Sequence, residues 1–474
     1  MLWLCLHLPC LPLEALHCGP NDAPLVVTSS EGNARWVVGC NDSAHRKGLK
    51  VGMNCSLALA MQPQLQMLER KQQAECHALE RLAAWAYQFS STVIVIPAAD
   101  LARPDGGLVW LEIGSSLRLF GGFRRFIERL EIELGQLGYT YQLGIGPTLE
   151  GAALLARCAI RVAITTTQAL YHRIRSLSVT QLPLEDEIAG QLQTVGIRSI
   201  GALLELPRDA VARRFGPQMS NYLDRLTGSA ADPRPAYQPS KYYDAHFDFE
   251  FEIHSSESLL FPLRRLLREF AGFLCGHDTA VQCFTLSLQH RQASTELRIG
   301  LLAPERNAER LFGIARERLE ATALTAATRG IRLLADEFSL PTALQPDLLN
   351  GSLQQHEDFA HTIDRLTARL GAASVHGLKL KGEHRPEMSG VNAKVNETAP
   401  DYEFANRPLW LLPEPKALQL SGLPASGPER IESGWWDGGD VRRDYYVVRT
   451  TQGADLWVFR DLADSNWYLH GFWS

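Results

Sequence analysis

Residues 36–53 read WVVGCNDSAHRKGLKVGM, and the fold turns on this stretch. WVVGC (36–40) is strand-like, a run of aromatic and β-branched residues that stops at Asn41. GLKVGMN (48–54) is turn-rich, with glycines at 48 and 52. On the N-terminal side, PLVVTSS (24–30) reads as a second strand. Residues 2–8 alternate apolar and mixed side chains before Pro9, a short buried strand ending at a turn. On the C-terminal side, Cys76, Leu79, Leu82, Ala83, Ala86 and Tyr87 recur at helical spacing within 70–90. STVIVIP (91–97), GLVWLEI (107–113) and TYQLGIG (140–146) read as strands. Residues 123–137 and 149–160 read as helices. Two βαβ-like passes with helices on one side predict an α+β, ferredoxin-like sheet.

The rest of the chain continues the α+β pattern. Residues 182–226 are helical with glycine punctuation, and GSAADPRPAYQPSK (228–241) is a linker with three prolines. Residues 244–338 predict strand, helix 258–275, strands 280–289 and 295–302, helix 307–322 and strand 330–338. Polar, turn-rich stretches at 341–358 and 382–400 flank a short helix, 359–371, and 408–474 form a last β unit. The chain has 474 residues, 45% hydrophobic and 21% charged, enough for three or four domains with packed cores. Its 47 basic and 53 acidic residues give a net charge of -6, which excludes a globally basic nucleic-acid binder but not a local basic face.

The nine cysteines are irregularly spaced with no Cys-x-x-Cys, which argues against a disulfide framework and for a reducing, cytoplasmic setting. The apolar start, MLWLCLHLPCLPL, lacks a basic flank and is broken by Pro9 and Pro12, so it is not read as a signal peptide. No run of 18 apolar residues is present, and no membrane association is expected. Cys5, His7, Cys10, His17 and Cys18 match no zinc-finger spacing, so neither metal nor cofactor is assigned. Gly144–Gly151 lacks the Gly-Lys-Ser/Thr ending of a phosphate loop and reads as strand, turn and helix.

Five segments in order resemble the Y-family translesion DNA polymerases over roughly residues 1–338. These are Leu11–Glu14, Val38 to Met53 with Ala58 and Pro63–Leu65, Trp110–Ile113, Leu143–Gly146, and Val195–Leu203. Arg118–Gly122, Gly427–Trp436, Arg442–Tyr446, Leu456–Arg460 and Trp467–Gly471 are similar to the family's ImuB branch, which is catalytically inactive. The resemblance implies a right-hand architecture. Its parts would be a palm at 1–10 and 70–165, fingers at 11–69, a thumb with a helix–hairpin–helix at 166–230 and a little finger at 240–338. A linker at 339–407 and a Trp-rich partner-binding region at 408–474 would follow.

Nucleotidyl transfer in active relatives uses two divalent cations about 4 Å apart, held by carboxylates on two palm strands. By resemblance those positions fall on His7, Pro9, Gly107 and Leu108, none of which is acidic. The triphosphate contacts fall on Asp42, His45, Leu149 and Ala153, and the steric gate on Pro12. An acid at 42 would repel a triphosphate, although Arg46 is nearby. Glu14 is a single leftover acid, while Asp105 and Glu112 are the acids a displaced metal site would need.

Residues 258–332 hold eleven arginines, no lysine and seven acidic residues, a surplus of four positive charges. Arg264, Arg265, Arg291 and Arg298, with Arg268, are candidate phosphate contacts for damaged or primer-template DNA. Gly196–Gly201 is a candidate backbone phosphate cradle. Gln345, Asp347, Leu348 and Leu349 resemble a sliding-clamp hook, with Gln181–Leu184 as the rival. Six of ten tryptophans lie after residue 408, and Trp435, Trp436, Trp457 and Trp467 are candidate partner contacts or β-core residues. The resemblance implies a scaffold that recruits an error-prone replicative-type polymerase α subunit and ImuA, a RecA-like protein. The alternatives are an active polymerase with displaced ligands and an interaction adaptor without DNA binding.

Overall fold

The structure, a computed structural model, describes residues 1–17, 19, 23–32, 34–96, 106–184, 186–324, 326–341, 352–397, 407–419 and 424–473. The first sheet is built from β1 (Trp3–Leu8), then, after an insertion, α4 (Gln72–Ala86), β5 (Val93–Ile96), β6 (Gly107–Glu112), α5 (Phe123–Leu137) and β7 (Gln142–Gly146). Its order is β5-β6-β1-β7, and β1 pairs antiparallel with both neighbours. That is the ferredoxin-like arrangement the sequence predicts. Helix α5 shows why: Phe126, Leu130, Leu134 and Leu137 form a stripe at helical spacing, all buried, each contributing about 1.5–3 kcal/mol by burial.

Helices are expected on one side only, but the sheet is covered on both. Leu4, Leu6 and Leu8 face α4 and α5, while Trp3 and Cys5 join Leu108, Trp110 and helix α6 (Leu149–Arg157). This is why β1 is buried along its whole length. The Gly-Ile-Gly stretch is explained here. A Cβ at Gly144 would lie 2.2 Å from the Ala152 carbonyl oxygen and the Ala156 amide nitrogen, so the glycine lets α6 lie against β7.

The insertion carries α1 (Leu11–Glu14), strands β2 (Leu25–Glu31), β3 (Ala34–Cys40) and β4 (Gln66–Glu69), and helices α2 (Asp42–Arg46) and α3 (Cys55–Met61). Its sheet runs β3-β2-β4. Helices α7 (Thr167–Ile174), α8 (Asp186–Thr194), α9 (Ile200–Leu204), α10 (Arg208–Phe215) and α11 (Pro217–Thr227) share a separate apolar core with α6.

A second α+β layer follows: β8 (Tyr243–Ile253), α12 (Ser256–Gly276), β9 (Ala280–Gln289), β10 (Ser294–Glu305), α13 (Ala308–Glu320), β11 (Thr328–Ala335) and β12 (Phe338–Ser339). The order is β10-β9-β11-β8, and α12 and α13 cover one face. Helix α14 (Ser352–Leu370) lies in what reads as linker, yet Asp364 accepts from the Leu302 amide at 2.8 Å and Arg365 pairs with Glu317 at 2.5 Å. Two side chains tie it to α13 and β10, so residues 339–407 are not a plain linker.

Contacts divide the chain into Met1–Arg369 and Leu370–Ser474. The second unit starts earlier than 408. It holds the hairpin β13 (Gly377–Leu380) and β14 (Gly390–Ala393), then β15 (Trp410–Ala417), β16 (Ser426–Ser433), β17 (Val441–Arg449), β18 (Asp455–Asp461) and β19 (Trp467–Phe472). These five strands form a sheet in the order β15-β19-β18-β17-β16. The segment connecting the two hairpin strands is joined to the sheet through Glu383, which accepts from Ser433, and Glu387, which pairs with Arg443.

Candidate nucleic-acid interface and the palm strand ends

The register of β1 on β6 sets His7 opposite Leu108 and Leu8 opposite Gly107, with Pro9 next along the chain. The four positions that the resemblance singles out therefore converge at one end of the first sheet. What they build there is packing. Leu108 is buried in an apolar cluster that also holds Leu149 and Ala153. His7 is 6% exposed, with its Nδ1 3.1 Å from Gln142 Oε1. Gly107 has no room for a side chain, because a Cβ there would lie 2.5 Å from Leu11 and 2.6 Å from Leu79 methyl carbons. Gly106, at φ +104, is tighter still: a Cβ would meet the Leu8 carbonyl oxygen at 2.0 Å. Magnesium takes near-octahedral oxygen ligands. A histidine, a proline, a leucine and a glycine wedged between leucines do not fit a two-cation site.

The remaining acids are committed elsewhere. Glu14 accepts from the Thr140 amide at 2.9 Å, and burial pushes its carboxyl up. Glu112 stands at the opposite end of β6 from Gly107, about 17 Å along an extended strand. It accepts from the Leu2 and Gly114 amides and from the backbone and hydroxyl of Ser115. Burial would raise its pKa, but these hydrogen bonds outweigh burial and hold the carboxyl below its usual range. Glu112 is thus a turn acceptor remote from the convergent strand ends. Asp105 lies outside the described residues.

In the insertion, Asn41 caps α2. Its Oδ1 accepts from the Ala44 and Leu25 amides at 2.9 and 3.1 Å. Asp42, His45 and Arg46 are exposed on that helix, and Arg46 Nε donates to the Asp42 carbonyl at 3.3 Å. Pro12, the aligned gate position, is buried in α1.

The arginines separate into three environments. Arg298 is exposed on edge strand β10, flanked by the buried Leu297 and Ile299, so it lies on the sheet face away from α12 and α13. Arg291 is exposed in the turn between β9 and β10, not on a strand. Arg264 lies on the helical side instead, its guanidinium 4.3 Å over the Phe312 ring, and does not share a face with Arg298. Arg265 is 7% exposed and donates to the carbonyls of Leu137, Glu14 and Gly138, stacked over Tyr139. Its donors are consumed inside the protein, which corrects its assignment as a phosphate contact. Arg268 joins the same junction through the Gln136 carbonyl and Glu309.

The backbone cradle is corrected as well. Gly196, at φ +83, ends α8, and its amide donates to Gln193. The amides of Ile200 and Gly201 donate to Leu177 and Arg175, and that of Ala202 to the Ser199 side chain. Those donors are satisfied before any phosphate arrives. Gln345, Asp347, Leu348 and Leu349 lie outside the described residues. In the rival peptide, Leu182 and Leu184 are buried.

The tryptophans also divide. Trp457 is 2% exposed, its ring packed against those of Tyr445 and His470 with centroids 4.1 and 5.7 Å away, which makes it core and not a docking residue. Trp467 is half-buried against Tyr446. Trp435 and Trp436 are 76% and 58% exposed, their rings edge to face at 5.5 Å. The loop that displays them is clamped by Arg385, which binds both Asp437 oxygens, the Gly439 carbonyl and Glu383. Arg385 and Ser433 together hold the Glu383 carboxyl down at about 2.

Sequence reasoning misses three features. One is the buried pair of Arg81 with Glu269 at 2.8 Å, which joins α4 to α12 and also receives the Tyr139 hydroxyl. The second is the Arg385 clamp. The third is His470, fully buried with Nδ1 2.8 Å from the Tyr445 hydroxyl. Partners so far apart in sequence leave no periodic trace.

Residues 14–160 match the model of the impB/mucB/samB family. The chain is 26% identical over 462 residues to Protein ImuB of Caulobacter vibrioides strain NA1000 / CB15N, covering 90% of this chain and 99% of that protein. The same figures hold for Protein ImuB of strain ATCC 19089 / CIP 103742 / CB 15. Among solved structures it is similar to DinB from Sulfolobus solfataricus, at 14% identity and a TM-score of 0.39, covering 72% of this chain and 100% of that one. No helix among the described residues is long and apolar enough to cross a membrane.

Proposed function

We propose that the chain is an ImuB-like relative of the Y-family polymerases and acts as a non-catalytic scaffold for damage-induced translesion synthesis, a reading supported by its similarity to Protein ImuB and to the impB/mucB/samB family model. In this reading it binds primer-template DNA, holds the sliding clamp through Gln345, Asp347, Leu348 and Leu349, and recruits an error-prone polymerase α subunit and ImuA. The observation that carries the reading is the packing at the palm strand ends, where Leu11 and Leu79 exclude a side chain at 107. DNA contact is assigned to Arg298 on the open sheet side and to Arg291 in the neighbouring β9–β10 turn, where guanidinium would meet phosphate. Partner contact is assigned to Trp435 and Trp436, since exposed rigid tryptophans suit the centre of a protein interface.

Primer extension by the purified protein with magnesium tests the reading. No templated incorporation is expected. Robust incorporation that disappears in Glu112→Ala would establish a displaced catalytic site and sink the scaffold. In salt titrations of DNA binding, Arg291→Ala with Arg298→Ala should flatten the slope of log K against log salt by about one to two. Clamp pull-down should be lost in Gln345→Ala with Leu348→Ala; undiminished binding would redirect the hook to Gln181.

A further inference from the structure

A cavity of about 610 Å³ opens where the end of α5 meets the outer faces of α12 and α13. Its composition alternates rings and cations. On α12, Phe261 and Arg264 are three residues apart, and on α13, Phe312 and Arg316 are four apart, so each ring has a guanidinium beside it on the same helical face. Phe261 is 50% exposed, a large apolar side chain left open to solvent. Arg264 is held in place by the Phe312 ring and meets no carboxylate among the described residues. Arg316 has only long ion pairs within its own helix, 4.0 Å to Glu317 and 3.8 Å to Glu320.

We propose that this groove docks an acidic segment of a partner protein. An aromatic or long aliphatic side chain would sit on the exposed Phe261 ring, with carboxylates bound by Arg264, which is stacked on the buried Phe312, and by Arg316. The chemistry favours peptide over nucleic acid. A duplex backbone presents phosphates at regular intervals to a strip of cations and has no apolar group to place on an exposed phenyl ring. Here the two cations lie beside an apolar surface made by Leu260 and Phe261. An acidic peptide matches both features, since its charges and its anchor come from different side chains. The groove also lies on the opposite side of this domain from Arg298, so both surfaces can be engaged at once.

The test uses the full chain and two labelled probes: the peptide Asp-Glu-Phe-Asp-Glu-Leu-Asp, and a short DNA duplex. Anisotropy titrations are run with Arg264→Glu/Arg316→Glu, with Phe261→Ser and with Arg298→Glu, each checked for an unchanged melting transition. Peptide affinity is expected to fall about tenfold or more in the first two variants and to stay at the wild-type level in Arg298→Glu. A control peptide with Phe and Leu replaced by Ser should bind as weakly as the wild-type peptide binds Phe261→Ser. The proposal is overturned if the wild-type chain does not bind the peptide or if the two groove variants bind it normally. It is also overturned if Arg264→Glu/Arg316→Glu abolishes duplex binding while peptide binding persists, which would give the groove to nucleic acid. The duplex arm reads the Arg298 surface separately, so failure there leaves the groove result intact.

Discussion

Gly107 and His470 show how single positions are constrained by what surrounds them. At 107, introducing an acid requires Leu11 and Leu79 to move and places a carboxylate among methyl groups. Overpacking of this kind costs about 1–3 kcal/mol before the buried charge is counted. Gly107→Asp is therefore expected to lower the melting temperature without creating magnesium-dependent incorporation, as a thermal melt and a primer-extension assay would show. His470 titrates instead. Burial holds its imidazole down at about 4, while an unfolded histidine titrates near 6.5. The unfolded chain binds the proton first, so the stability this histidine contributes is full above pH 6.5 and is lost as pH falls toward 4. A tryptophan-fluorescence melt of the chain should show the C-terminal sheet weakening across that window, and His470→Gln should remove the slope. Glu383, held near 2 by Arg385, acts at lower pH: its contribution is lost below about 4.5, which keeps the two effects apart.

At the scale of the element, amphipathic periodicity is legible when a segment faces one core, and it fails when a segment faces two. Helix α5 is bounded in the sequence as it is in the structure, because its stripe meets one sheet. Helix α12 also stands out, but its charges mislead. Arg264, Arg265 and Arg268 read as phosphate contacts, yet Arg265 is buried, as is Glu269 on the same helix, because α4 and α5 cover a second side of it. The ends of β1 and β6 are legible as residue types but not as packing, since Leu79 reaches Gly107 only through the fold. The Trp435–Trp436 loop behaves the same way: its exposure depends on Arg385, about fifty residues earlier in the chain. Arg385→Ala should release the loop. Acrylamide should then quench tryptophan fluorescence more strongly while far-UV dichroism of the sheet stays unchanged; unchanged quenching would show that the loop holds itself.

At the scale of the molecule, two α+β layers are joined by side chains that leave little freedom between them. Arg81 and Glu269 form a buried pair, the Arg81 guanidinium also reaches the His246 carbonyl, and Arg265 spans the carbonyls of Leu137, Gly138 and Glu14. Removing one member of a buried pair typically costs about 3–5 kcal/mol, whereas replacing both with apolar residues is often close to neutral. Glu269→Gln alone should thus destabilise residues 1–369 strongly in denaturant melts, and Arg81→Met with Glu269→Leu should recover much of the loss. Equal losses in the single and double variants would mean that packing, and not the pair, holds the layers together.

The filled strand ends also bear on the history of such a chain. To place an acid at 107, Leu11 and Leu79 would first have to shrink, and each of those steps alone would open a void in the core. Every first move is penalised before any gain can be selected. Once those leucines are in place, they act as a ratchet, and descendants of this sequence are freer to diversify their outer surfaces than to install an acid at these strand ends.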